Sequence, residues 1–305
     1  MKTQQVKKII VVLGPTASGK SDFAVFLAKN FNGEIISADS RQVYKGMDLG
    51  TGKVPKDKGK RGYFYEGIRH YLLDVVSPKR KFSVAEFVSL AKKALKKIFK
   101  KGKIPIVCGG SWFYIYALVD GYCFPKVKPD WKLRRELEKK SKEELFEMLK
   151  KLDPQRAKTV DPENKRRLIR AIEIAKKLGK VPKLRKRPLP YPILFLGIEK
   201  DFAELKKLIR RRLLKRIKAG MIEEVKKLKE KGVSFKRLEE FGLEYYWVAQ
   251  YLQNKISKKE MIEKLQKAIE HFAKRQIKIF KKDKRIHWVK TYREGKKLVK
   301  NFLLK

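Results

Sequence analysis

At 305 residues the chain is long enough for one large core or for two domains, and its 43% hydrophobic and 11% aromatic content fits a folded protein. Lys+Arg 79 against Asp+Glu 33 leaves a net charge of +46, a field that draws polyanions: RNA, DNA or an anionic membrane surface. A heat-adapted surface would balance lysine with glutamate, and this one does not; the two cysteines, Cys108 and Cys123, exclude a disulfide scaffold and a zinc site built from cysteine alone.

Val6–Leu13 reads as a buried strand, and its apolar run from Ile9 is too short for a secretory signal. It leads into Gly14-Pro15-Thr16-Ala17-Ser18-Gly19-Lys20-Ser21, the G-x-x-x-x-G-K-S pattern, and then into a helix over Ser21–Asn30. With a strand before it and a helix after it, this loop is a phosphate cradle. Glycines let several N–H groups point inward, the helix adds its positive end, Lys20 adds a charge, and the Ser21 hydroxyl can hold Mg²⁺. The loop does not name its ligand: ATP in a kinase and the diphosphate of another molecule fit equally.

A second strand over Glu34–Ser37 ends at Ala38-Asp39-Ser40. Asp39 then stands at the carboxyl edge of a parallel sheet, where ligands bind. It is a candidate general base, an indirect Mg²⁺ ligand or the cap of a turn. Ser40, Arg41 and Gln42 are hydrogen-bonding groups suited to a base edge or a phosphate. Gly46–Gly67 reads as a long excursion with a hairpin near Tyr63 and Tyr65. Ser83 and Glu86 form a capping box that starts an amphipathic helix running to about Lys101 and stopped by Gly102. "IPIVCGG" is another buried strand with a glycine turn, which brings Ser111 to the same edge. This alternation predicts an α/β fold, a parallel sheet with helices on both faces.

The character changes after Gly121. Asp130–Leu178 reads as wholly helical, with caps at Ser141 and Asn164. Pro182, Pro188, Pro190 and Pro192 then mark a stiff linker. Ile193–Ile198 returns to a buried strand, long basic helices follow (one from a box at Ser257 and Glu260), and "RIHWV" is a last strand. The expected division is a core of residues 1–122 and 191–305 with an all-helical insertion of residues 123–190. No apolar segment approaches membrane-spanning length, and a cytoplasmic protein is expected.

The motifs GPTASGKS, ADSRQVY, MDLGTGK, HYLLD and GGSWFY, in this order, resemble the bacterial tRNA dimethylallyltransferase family. "LDPQRAKTVDPENKRRLIRAIEI", "AGMIEEVKKL", "FGLEYYWVAQYL" and "HFAKRQIKIF" extend the likeness over nearly the whole chain. The resemblance implies a P-loop NTPase-like core and transfer of a dimethylallyl group from dimethylallyl diphosphate to the N6 amine of the adenosine 3′-adjacent to the anticodon, with release of diphosphate. It implies Mg²⁺ as cofactor, a monomer, and an insertion that grips the tRNA anticodon stem-loop. It assigns catalysis to Asp39, Lys20 and Arg212, metal binding to Ser21, and diphosphate binding to Gly14, Pro15, Thr16, Ala17, Ser18, Gly19, Lys20 and Ser21. To tRNA it assigns Asp39, Ser40, Arg41, Gln42, Ser111, Arg134, Arg166, Arg167, Leu168, Ile169, Arg170, Gly242, Lys274, Arg275 and Gln276. This chain departs from the family pattern at Gly52, at Trp112 and at Leu243-Glu244-Tyr245, where the family has a cation at the middle position.

Overall fold

The computed structural model describes residues 6–305. Strand β1 (Ile9–Leu13) is five apolar residues, all fully buried, as a strand covered on both faces must be. The expected start at Val6 moves to Ile9, because Val6 is exposed to solvent. Helix α1 (Lys20–Asn30) and strand β2 (Gly33–Ser37) follow. Strands β3 (Tyr63–Tyr65) and β4 (Ile68–Tyr71) form the antiparallel hairpin expected within the excursion. Glu66 (φ 49°) and Gly67 (φ 78°) make its turn, the two consecutive positive φ angles of a type I′ connection. Helix α2 (Val84–Lys100) starts at the Ser83 capping box, with both reciprocal bonds made. It gives way to Gly102 at φ 64° before strand β5 (Ile104–Gly109) and helix α3 (Trp112–Val119).

The chain then leaves this unit for residues 120–188 and rejoins it at Leu189. The first unit resumes with β8 (Ile193–Ile198) and helices α8 (Phe202–Lys218), α9 (Met221–Glu230), α10 (Phe235–Phe241), α11 (Leu243–Leu252) and α12 (Lys258–Phe280). Strand β9 (Ile286–Val289) and helix α13 (Tyr292–Leu304) end it. Its sheet runs β3-β4-β2-β5-β1-β8-β9, parallel throughout except for edge strand β3. Side chains alternate across a strand. Ile10 and Val12 therefore join Phe23, Ala24 and Leu27 of α1 and Val299 of α13 in one core, while the other face is left to α2 and α3. A second core unites α8 to α12 with Val43, Tyr44 and Met47, and so anchors the segment after β2. Among the described residues no helix is long and apolar enough to cross a membrane.

The inserted unit comprises α4 (Trp131–Glu138), α5 (Lys142–Leu152), α6 (Pro154–Ala157) and α7 (Lys165–Leu178), capped by Asp130, Ser141, Asp153 and Asn164. It is not all helical. Strands β6 (Tyr122–Cys123) and β7 (Arg185–Lys186) pair antiparallel, so part of the expected linker is a ribbon strand. Gly121 is required there: at φ 63°, a Cβ would lie 1.6 Å from the Arg187 carbonyl oxygen. Inside the unit Leu137, Leu145, Leu149, Leu168 and Ile172 form its apolar core. Glu173, 2% exposed, accepts hydrogen bonds from Arg134, Arg170 and the Asp130 amide. Burial alone would raise its pKa, but these donors hold it below the ordinary 4.5.

Glu173→Ala leaves two arginines facing each other without their counter-charge, and is expected to cost about 2 kcal/mol by thermal denaturation, the low side of a broken buried pair because both arginines still reach solvent. A depressed carboxyl contributes fully above its unfolded pKa and loses that contribution as pH falls through its folded pKa. The thermal midpoint of the native chain should therefore fall more steeply below pH 4.5 than that of Glu173→Gln.

Candidate active site

Three turns meet at the carboxyl edge of the sheet, because β1, β2 and β5 run parallel in adjacent register. The first follows β1. Ala17 (φ 63°) and Gly19 (φ 85°) bend the loop so that α1 begins at Lys20, whose amide and those of Ser21 and Asp22 lie in the helix's first turn without an intrahelical acceptor. These amides and the helix dipole face any anion held by the loop. The buried Ser18 hydroxyl has no partner among the described residues. Lys20 Nζ folds back to donate to the Pro15 carbonyl at 3.1 Å. Burial lowers the Lys20 pKa below 10.5; Arg212 adds to this, and Asp39 opposes it. Beneath it, burial pushes the Cys108 thiol up to about 12, so this cysteine stays neutral.

The second turn follows β2. Asp39 Oδ1 accepts from the amides of Arg41 (2.8 Å) and Gln42 (3.2 Å), so the carboxylate fixes its own turn. Its other oxygen accepts no hydrogen bond from the described residues, and the side chain is half-buried. The group thus caps its own turn and keeps one oxygen unspent. Gln42 spends its amide group within the protein, donating to Thr51 and Gly52 carbonyls (both 3.3 Å) and accepting from the Ser37 hydroxyl at 3.1 Å. Arg41 Nε donates to the Phe241 carbonyl at 2.7 Å, beside that residue's ring.

The third turn follows β5. Gly109 is required by a close approach: a Cβ there would stand 2.1 Å from the Ala38 carbonyl oxygen. Ser111 Oγ accepts from the Ser40 amide at 3.0 Å and thereby joins the second and third turns. Gln276 of α12 joins the first to the third. Its Oε1 accepts from the Thr16 amide at 2.9 Å, and its Nε2 donates to the Gly110 carbonyl at 2.8 Å. At 3% exposure Gln276 does not present the RNA-facing amide expected from the sequence, because both ends of that amide are held inside the protein.

A cavity of about 1160 Å³ opens beside the first turn, between the 48–56 segment, the β3–β4 hairpin, α8 and the start of α13. Arg211 and Arg212 of the Arg210-Arg211-Arg212 run both line it, and Arg212 is the one drawn out of solvent. Arg210 bonds Gln266 and is exposed, whereas Arg212 Nη2 donates to the Gly52 carbonyl at 3.1 Å. Burial lowers the Arg212 pKa, and Arg216 adds to this. Gly52 has φ 61°, and a Cβ on it would lie 1.9 Å from Arg212 Nη2, so the departure from the family pattern at this position makes room for the guanidinium. Asp39 stands outside the cavity lining, and its charge acts on both Lys20 and Arg212 from the neighbouring turn.

The structure distributes the remaining expected residues unevenly. Lys274 and Arg275 are exposed on α12, and Gly242 (φ 72°) joins α10 to α11. In the inserted unit Arg166 and Arg167 are exposed on α7. Leu168 and Ile169 are core residues rather than a surface for RNA, 0% and 7% exposed, since they occupy the apolar face of the same helix. Arg134 and Arg170 are engaged by Glu173. The sequence reading missed Lys53, whose fully buried side chain donates to the Tyr44 carbonyl (2.6 Å), Asp48 (2.7 Å) and Asp74. A lysine directly after Gly52 in a glycine-rich bend was its only local signal.

A family model described as IPP transferase matches residues 42–283. The chain is 41% identical over 288 residues to a tRNA dimethylallyltransferase of Geotalea uraniireducens, covering 92% of each chain. It is 39% identical over 304 residues to that of Acetivibrio thermocellus, covering 96% of this chain and 95% of the relative. Among solved structures, the full-length tRNA isopentenylpyrophosphate transferase of Bacillus halodurans superposes with a TM-score of 0.71 at 31% identity, covering 98% of this chain and 96% of that one. A eukaryotic dimethylallyltransferase solved acting on tRNA gives a TM-score of 0.78 at 28% identity, over 93% of this chain and 74% of that one.

Gln276→Leu keeps the volume but strands the Thr16 amide and the Gly110 carbonyl. A loss of about 1–3 kcal/mol by chemical denaturation is expected, together with weaker binding of inorganic diphosphate in calorimetry.

Proposed function

The chain belongs to the IPP transferase family and transfers a dimethylallyl group to tRNA, and we propose that Asp39, Lys20 and Arg212 carry that transfer. The donor is dimethylallyl diphosphate, seated by its diphosphate in the loop Gly14–Ser21. The acceptor is the exocyclic amine of the adenosine 3′ to the anticodon. A base inside a stacked loop is out of reach of such a site and is turned out to react.

That amine is a weak nucleophile, because its lone pair is delocalised into the ring. As its nitrogen bonds to the prenyl carbon, the carbon–oxygen bond to diphosphate breaks and a proton leaves the nitrogen. The observation that carries the assignment is the Asp39 carboxylate: one oxygen holds its own turn rigid and the other is unspent, beside Lys20 and Arg212 in charge if not in contact. The unspent oxygen takes the proton. The departing diphosphate gathers negative charge, which the first-turn amides of α1, Lys20 and Arg212 meet with fixed positive charge. The Thr16 amide is not among these donors, because Gln276 holds it.

Mg²⁺ fits this arrangement as a shared ion. Among the described residues no cluster of three His, Cys, Asp or Glu could cage a metal. The Ser21 hydroxyl and the neighbouring Asp22 both line the cavity, and a magnesium ion is commonly held by one or two protein oxygens together with substrate phosphates. It would neutralise charge on the diphosphate. The inserted unit, with Arg166 and Arg167 exposed on α7, and the exposed Lys274 and Arg275 of α12 supply cations for the phosphates of the anticodon stem-loop.

The test is transfer of label from radiolabelled dimethylallyl diphosphate to an anticodon stem-loop in Mg²⁺. Asp39→Ala should lower kcat by about 10²–10⁴-fold while the stem-loop still binds. Absence of transfer by the native chain to stem-loop or whole tRNA, with ATP turnover on a small acceptor, would favour a kinase instead. The lowered Lys20 pKa carries a sign as well. Its proton is lost below pH 10.5, so kcat/KM for the diphosphate donor should decline with rising pH earlier than an ordinary lysine would cause, and Lys20→Arg should remove that limb whatever its absolute rate.

A further inference from the structure

The loop Asp48–Gly52 touches the proposed site twice. Its Gly52 carbonyl receives Arg212, and its Thr51 and Gly52 carbonyls receive Gln42 from the turn that Asp39 caps. The loop closes a turn of its own, from the Gly52 amide to the Leu49 carbonyl (3.1 Å) and from the Lys53 amide to the Asp48 carbonyl (3.0 Å), but that turn must still be anchored to the rest of the protein if its carbonyls are to stay in place. Two charged side chains from outside the loop anchor it from opposite chemical sides. Glu224 of α9 accepts three consecutive amides, those of Asp48 (2.8 Å), Leu49 (2.6 Å) and Gly50 (3.0 Å), and is itself held by the Tyr245 hydroxyl at 2.8 Å. Arg216 of α8 donates to the carbonyls of Leu49 (3.1 Å) and Gly50 (2.9 Å) through one nitrogen and to Glu244 at 2.7 Å through the other. The loop is also pressed against the aromatic residue, since a Cβ on Gly50 would lie 2.6 Å from the Tyr245 ring.

The geometry points to Arg216 and Glu224 as positioning residues for the transfer, which act through the Asp48–Gly52 loop on Arg212; this rests on the role of Arg212 proposed above. Arg216 and Arg212 lie one helical turn apart on α8, and the two cations disfavour each other. Glu244, with its side chain only 12% exposed, balances Arg216 and leaves Arg212 as the cation available to a diphosphate. Where the family pattern carries a cation at the middle of Leu243-Glu244-Tyr245, this chain carries the anion that Arg216 requires. A guanidinium fork is needed, because one planar group spans two carbonyls and a carboxylate, which an ammonium on a flexible stem cannot do in fixed geometry.

The experiment is a double-mutant cycle on label transfer to the anticodon stem-loop at saturating donor, with stem-loop affinity and thermal midpoint measured alongside. Arg216→Met and Glu224→Gln should each lower kcat by about 10–100-fold while the stem-loop dissociation constant stays within about threefold. Arg216→Lys should not restore the rate. The decisive arm is Arg212→Lys combined with Arg216→Met. If Arg216 acts through Arg212, the double variant loses no more than about threefold beyond Arg212→Lys alone. Losses that multiply, or an unchanged kcat in both single variants, would overturn the proposal. Glu224→Gln is nearly isosteric and decides the question on its own, by its kcat and stem-loop affinity, should Arg216→Met fail to fold. No transfer by the native chain would instead remove the reading on which the proposal rests.

Discussion

The site depends on parallel pairing of three adjacent strands. Because β2, β5 and β1 point the same way and pair in register, their three exits fall side by side, and turns that are far apart in sequence become neighbours through their backbones. Ala38 touches Gly109, Ser40 bonds Ser111, and Gln276 closes the set by tying Thr16 to Gly110. An antiparallel neighbour would send one of these exits to the opposite edge. The phosphate loop would then remain, but Asp39 would stand a strand's length away.

On that frame the electrostatics are arranged by subtraction. The chain has cations in great excess, and most are solvated. What distinguishes Lys20 and Arg212 is partial removal from water, which lowers the pKa of each and leaves their charge poorly compensated. A poorly compensated buried cation favours an anionic neighbour. Around them, other cations are neutralised at short range: Lys53 lies between Asp48 and Asp74, and Arg216 faces Glu244. The result is a specific demand for negative charge at one place, within a field that attracts polyanions from every side.

The sequence disclosed the parts of this whose causes are local. The phosphate loop, the capping boxes at Ser83, Ser141 and Ser257 and the buried strands each follow from a few consecutive residues, and each stands where its pattern put it. Asp39 was legible as a strand-end carboxylate, and of the readings left open the structure shows the cap of a turn. What stayed hidden is long-range. Gln276 meets Thr16 across 260 positions, and its pattern neighbours Lys274 and Arg275 are exposed, so nothing nearby announces a buried amide. Leu168 and Ile169 share a motif with arginines, and the turn of α7 puts them on its apolar face instead. The β6–β7 ribbon was unreadable for another reason: two residues per strand are too few to show alternation.

The junction of the inserted unit has its own consequence. Leu189 donates its amide to the Val119 carbonyl at 3.1 Å, and Arg187 does the same to Gly121 at 2.9 Å. The chain therefore departs and returns through points one hydrogen bond apart, so the sheet unit is topologically closed with or without what lies between them. Loop-closure entropy grows only slowly with length, so the segment between those points can lengthen, shorten or be exchanged with little effect on the α/β unit that carries it. Such a seam lets a lineage treat residues 120–188 as a cassette. The elements that surround the phosphate loop can stay fixed while the inserted helices diverge.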